Sequence, residues 1–181
     1  MKRFLLLTLC GITCASTAFT RGAGWIAIAN DRTGHFGCTF VDQGFIVQVY
    51  IFHYFTDGST ASKWMLDVTE AGWTHLGDLK HFELVIGTSI TGVSVSYEAC
   101  LQGTFRLMTV NFFGSNADPC GLIGIVAAPA KYGVRSKDCA ENVHYIPGGE
   151  ARVNPVPGCW CGTPPSPVES TTWGKVKALY R

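Results

Sequence analysis

Between its two ends the chain has no basic cluster; it also has no apolar run long enough to cross a bilayer, no Cys-x-x-Cys pair and almost no helical periodicity. Each absence removes a class. Nucleic acid needs grouped Lys and Arg against its phosphates, and the body offers none. A spanning helix needs about 20 consecutive apolar residues, so no transmembrane segment is expected in the mature chain. The five histidines (His35, His53, His75, His81, His144) show no ligand spacing with the cysteines, which argues against structural zinc. No Gly-x-Ser-x-Gly elbow presents a nucleophile; Gly87-Thr88-Ser89 and Gly114-Ser115-Asn116 read as turns. There is no EF-hand loop, no internal repeat and no low-complexity run.

What is present begins with an export signal. Lys2 and Arg3 precede a short apolar stretch opening at Phe4-Leu5-Leu6-Leu7, and Ser16-Thr17-Ala18 supplies small residues for a signal peptidase. Residues 1–18 are therefore read as a signal peptide, with Ala23 the weaker cleavage point. Cys10 and Cys14 follow Leu9 and Thr13, which does not fit a lipidation site. Taking Lys2 and Arg3 from the formal +1 leaves the mature chain at −1. Its tail holds Lys175, Lys177 and Arg181 against Glu169, a net +2, so residues 19–167 carry −3.

Six cysteines remain after cleavage: Cys38, Cys100, Cys120, Cys139, Cys159 and Cys161. An even number in an exported chain implies disulfides, with the connectivity open. Cys159 and Cys161 are too close to bridge each other easily, so each is expected to pin the segment around it to the body.

The body, residues 19–154, reads as about nine short strands divided by Gly, Asn, Asp and Pro turns. Phe45 to Phe55 is apolar on both faces, as a covered central strand would be. Thr56-Asp57-Gly58-Ser59 and Gln102-Gly103 read as turns. Val93, Val95 and Tyr97 alternate with Ser94 and Ser96, a period of two with one face buried. Further strands are expected at Gly24–Asn30, Lys63–Val68, Phe82–Ile86, Phe105–Phe113, Leu122–Val126, Val143–Ile146 and Glu150–Val153, with one helical turn at Asp67–Gly72. The fold class is all-β, a two-sheet β-sandwich such as the immunoglobulin-like kind.

Residues 155–167 are too rich in proline for a central strand and form a linker. Residues 168–181 form a basic tail, in which Trp173, Val176 and Tyr180 share one face of a short helix. Trp173, Lys175, Lys177, Leu179, Tyr180 and Arg181 are the groups that a sorting or attachment machine would hold.

Catalytic candidates are thin. His75, His81 and Glu83 are the acid–base set, and His53, inside a strand, reads as a satisfied core histidine. Asp67, Glu70, Asp78, Glu83 and Glu98 carry no spacing that marks a carboxylate pair. Trp25, Trp64 and Trp73 are the candidates for a flat sugar-stacking platform, though Trp64 and Trp73 read first as core residues of the sandwich. No catalytic residue, cofactor or metal is expected.

The segments Val49–Val68 (VYIFHYFTDGSTASKWMLDV), Val85–Tyr97 (VIGTSITGVSVSY) and Phe105–Gly114 (FRLMTVNFFG), with Cys100, Cys120 and Cys139, resemble a family of short secreted bacterial proteins to which no activity is assigned. The ending Thr172–Arg181 (TWGKVKALYR) is similar to W-G-x-x-K-x-L-Y-R ends of otherwise different exported bacterial proteins. The strand order also looks like that of cohesin-type sandwiches. The expectation is a secreted or cell-surface, non-catalytic module for extracellular binding, adhesion or assembly, its tail used for sorting or attachment. Its partner would be an extracellular protein or polysaccharide. A carbohydrate-binding accessory and a small extracellular hydrolase are the alternatives.

Overall fold

A computed structural model describes residues 22–35, 37–115, 117–128 and 133–159. The described residues form ten strands and no helix: β1 (Trp25–Ala29), β2 (Thr39–Phe40), β3 (Ile46–Asp67), β4 (Thr74–Lys80), β5 (Val85–Thr88), β6 (Gly92–Phe113), β7 (Gly121–Val126), β8 (Arg135–Asp138), β9 (Val143–Tyr145) and β10 (Glu150–Val153). The signal, the linker beyond Cys159 and the tail lie outside the described residues, and the expected tail helix with them.

Two 22-residue strands, β3 and β6, run antiparallel through the whole body. On β3, β1 pairs at Tyr50–Tyr54, β8 at Ser59–Lys63 and β7 at Met65–Asp67. β7 then pairs β10, and β10 pairs β2 in parallel. The chain just before β10 returns to β1, where Ile26 donates to Pro147 O and accepts from Gly149 N. Ile26 and Ile28 from β1, Val49, Ile51, Trp64 and Leu66 from β3, Val93, Val95, Val110 and Phe112 from β6, Ile123 and Ile125 from β7, and Ala151 and Val153 from β10 form the core between the layers. A smaller cluster on the other face of β1 and β3 holds Trp25, Tyr50, Phe52 and Tyr54. Val49–Tyr54 of β3 is thus buried on both faces, while Phe45, Ile46 and Phe55 at the ends of the apolar run face water.

Two expected turns are not turns. Thr56–Ser59 and Gln102–Gly103 stay inside β3 and β6, where the register slips repeatedly between His53 and Ala61. Phe55, Glu98 and Gly103 take φ of 52°, 61° and 83° there. Residues that tolerate positive φ serve a β-bulge as well as a hairpin, and here the two strands bend together instead of reversing. The bend is cross-linked: Cys100 in β6 joins Cys139 just after β8, with Cα atoms 5.4 Å apart. A Cβ at Gly58 would lie 2.6 Å from Cys139 Sγ, so only glycine lets β3 pass under the bridge. Cys120 joins Cys159 and pins the start of the linker to β7, as expected of Cys159. Cys38 is disulfide-bonded too, while Cys161 falls outside the described residues. Residues 68–72 make a single hydrogen-bonded turn, Gly72 N donating to Val68 O, and no helix.

Polar groups fill the inside of the bend. His53 is fully buried, and its Nε2 lies 2.7 Å from Ala23 O, so Nε2–H donates and Nδ1 accepts from Tyr97 Oη at 3.2 Å. Burial holds the imidazole neutral and lowers its pKa from 6.5 to about 4, despite the Ala23 carbonyl. The unfolded chain takes up a proton near pH 6.5 while the native one does not. Stability is therefore expected to fall as the pH drops from about 6.5 to about 4, by about 3 kcal/mol from this group alone. Urea unfolding across that window checks it. A His53→Gln variant, with both hydrogen-bonding roles retained, is expected to lose that part of the slope.

Candidate functional site

The alternation of β6 sends Val93, Val95 and Tyr97 inward and Ser94 and Ser96 outward. Around those serines the strands lie in the order β5, β6, β3, β8, β9, and the register builds two cross-strand rows on the outer face. One row is Ile86, Ser94, Lys63, Arg135 and Tyr145. The next is Ser96, Ala61, Lys137 and Val143, with Leu84 beside Ser96 through its carbonyl.

Large apolar side chains stand at the ends of the rows, with Ser94, Ser96 and Ala61 between them and three long cationic side chains alongside, and the face forms an open trough of about 270 Å³ lined by Leu84, Ile86, Ser94, Ser96, Ala61 and Val143 among others. Leu84, Ile86, Val143 and Tyr145 are 55%, 68%, 56% and 62% exposed. Large apolar side chains left in water on both banks of a flat sheet face mark an interaction surface. The trough is too open to enclose a small molecule, which binding sites of that kind largely bury.

Lys63, Arg135 and Lys137 cross the trough, and no carboxylate lines it. Arg135 lies 5.9 Å over the Tyr145 ring. Lys137 pairs with Glu141 in the β8–β9 turn. That turn is built by Asp138, which accepts from Ala140 N, Asn142 N and the His144 ring. Those hydrogen bonds, His144 first, hold the Asp138 carboxyl far below its usual range.

The sequence-predicted candidates lie elsewhere. His75 Nε2 is 2.9 Å from Asp78 Oδ1, and the Ser89 hydroxyl donates to the same oxygen at 2.7 Å. With Nε2–H committed to Asp78, the imidazole has no lone pair for Ser89, 3.5 Å away. Ser89 is fully buried, its N–H also donates to Asp78, and its carbonyl accepts from Leu66 N. The trio therefore ties the β5–β6 turn to β4 and β3. His81 bonds Thr109 instead, and Glu83 N bonds Glu98, so His75, His81 and Glu83 do not share partners.

Trp64 and Trp73 are core residues, the reading preferred for them, and Trp25 is buried too, so the three form no sugar platform. Trp25, Trp64 and Trp73 are 6%, 0% and 6% exposed. Their rings serve the interior: Trp25 packs on Tyr54 and Trp73 on Phe40 and Phe112, while Trp64 sits in the main core. Trp173, Lys175, Lys177, Leu179, Tyr180 and Arg181 lie outside the described residues.

No protein-family model matches this chain, and no curated protein matches its sequence. Among solved structures it is similar to the cohesin module of a family 33 glycoside hydrolase from Clostridium perfringens. That match has a TM-score of 0.52 at 10% identity and covers 75% of this chain and 99% of that one. A non-cellulosomal cohesin from the archaeon Archaeoglobus fulgidus follows, with a TM-score of 0.49 at 13% identity over 71% of this chain and 88% of that one. The shared feature is the fold, a cohesin-like β-sandwich.

Proposed function

We propose that this protein is a secreted, non-catalytic β-sandwich module. It binds an extracellular protein through the trough on the β5–β6–β3–β8–β9 face, and its C-terminal segment serves sorting or attachment. One observation carries the reading: Leu84, Ile86 and Val143 stand more than half exposed along a trough that Ser94, Ser96 and Ala61 keep open and three cations cross. A flat sheet face of this kind suits a folded partner that inserts side chains between the banks. The export signal, the two described disulfides and the cohesin-like fold support an extracellular module.

Cleavage after Ala18 is part of the proposal. Residues 22–24 support it, because Gly22 O accepts from Asp57 N and Thr56 Oγ1, and Ala23 O from His53. A cut after Ala23 would remove both carbonyls from the fold.

The test compares three forms in the extracellular fraction of the exporting cell: the native chain, an Ile86→Asp/Val143→Asp variant, and a chain stopped at Val168. The native chain is expected in a complex larger than itself. The double variant is expected as a monomer with unchanged unfolding, and the truncated chain is expected to fractionate differently from the other two. A double variant that stays in the complex overturns the docking reading, and a truncated chain that fractionates like the native one overturns the role of the tail.

A further inference from the structure

We infer that the partner seated in the trough is acidic, a protein surface presenting carboxylates beside aliphatic side chains; the inference rests on the docking reading above. Residues 19–167 carry a net −3, yet the lining of the trough holds Lys63, Arg135 and Lys137 and no carboxylate. The positive charge is concentrated on one face against the sign of the body around it. Register partners Lys63 and Arg135 stand side by side in one row, with Ile86 and Tyr145 at its ends, and Lys137 is one row away. Contact with the Tyr145 ring keeps the Arg135 guanidinium over the face, where its planar fork matches a carboxylate.

The same charges disfavour two other occupants. The tail carries +2, so seating it here sets like charges together. A second copy in two-fold pairing through this face sets Lys63 and Arg135 against their own counterparts. An acidic partner meets Lys63 and Arg135 between apolar banks, with Lys137 beside them held by Glu141, and is steered to them from a distance.

The test uses the full disulfide-bonded mature chain and short peptides alternating Leu with Glu, Leu with Gln, or Leu with Lys, titrated by fluorescence anisotropy. The Leu/Glu peptide is expected to bind about tenfold or more tighter than Leu/Gln, with the preference shrinking between about 50 mM and about 500 mM salt. Lys63→Glu is expected to remove the preference without changing the unfolding midpoint. Ile86→Asp is expected to weaken every peptide that binds. Equal binding of Leu/Glu and Leu/Gln, an unchanged preference in Lys63→Glu, or no binding at all overturns the acidic partner. If charge has no effect while Ile86→Asp still weakens binding, only this inference fails. If Ile86→Asp changes nothing, the docking reading fails with it.

Discussion

Replacing Asp42 by Ala is expected to destabilise the protein by about 3 kcal/mol, because it leaves three neutral donors without their charged acceptor. Asp42 is 7% exposed, and its carboxylate binds three donors from three parts of the chain. Oδ2 accepts from Trp73 Nε1 and Ala117 N, each at 2.9 Å, and Oδ1 accepts from Gly44 N at 2.8 Å. Its own N–H donates to Asn154 Oδ1, and Asn154 Nδ2 donates on to Ala117 O, which brings in the end of β10. The pKa shows the same balance: burial pushes it up, and the N–H groups of Ala117 and Gly44 and the Trp73 indole more than reverse that. In Asp42→Ala those donors lose their acceptor inside the fold, each a desolvation penalty of about 1–3 kcal/mol. Asp42→Asn, which keeps one carbonyl oxygen, is expected to lose clearly less. Urea denaturation of the two variants checks the order; a loss under about 1 kcal/mol for Ala contradicts the account.

Removing the Cys100–Cys139 bridge as a Ser pair is expected to cost about 4 kcal/mol, from the chain entropy of a loop with sequence separation 39. In the native state the bridge does more than close a loop. It joins the bulged part of β6 to the end of β8, across β3 at Gly58. β8 and β9 supply Arg135, Lys137 and Val143 to one bank of the trough, with Tyr145 beside Arg135 at the end of its row. Their other ties are four ladder pairs from β8 to β3, hydrogen bonds from the Ser59 and Thr60 hydroxyls to Ser136, Lys137 and Asp138, the Ile146 N–Val134 O bond, and the burial of Val134 and Ile146 at the edge of the core. The double variant is therefore expected to lose amide protection first in β8 and β9, with β3 and β6 opening only on global unfolding. Loss of protection spread evenly over all strands would contradict that role.

The all-β class, the alternating face of β6 and the doubly covered Val49–Tyr54 stretch of β3 were legible because apolar period and length carry them. The bend was not, because Asp57-Gly58 and Gln102-Gly103 have the composition of turns and the bulges use the same backbone freedom. β8 escaped notice since its buried residue is Ser136, hydrogen-bonded to Ser59 rather than packed as an aliphatic. β4 hides likewise: His75 and Asp78 are among its least exposed residues, satisfied by each other and Ser89. The trough was invisible for the opposite reason. Ile86 and Val143 look like core residues in any sequence, and only the register shows that they face water together. The core role of Trp64 and Trp73 was the preferred reading, as large rings more often fill a core than stand as a platform.

The measurement that bears most directly on the docking face is amide hydrogen exchange on the native extracellular complex beside the free protein. Protection on binding is expected in Leu84–Ile86, Ser94–Ser96, Ala61–Lys63, Arg135–Lys137 and Val143–Tyr145, and not on the Trp25–Tyr54 side of β1 and β3. Protection confined to that other side, or to residues 168–181 with the trough unchanged, would contradict the account.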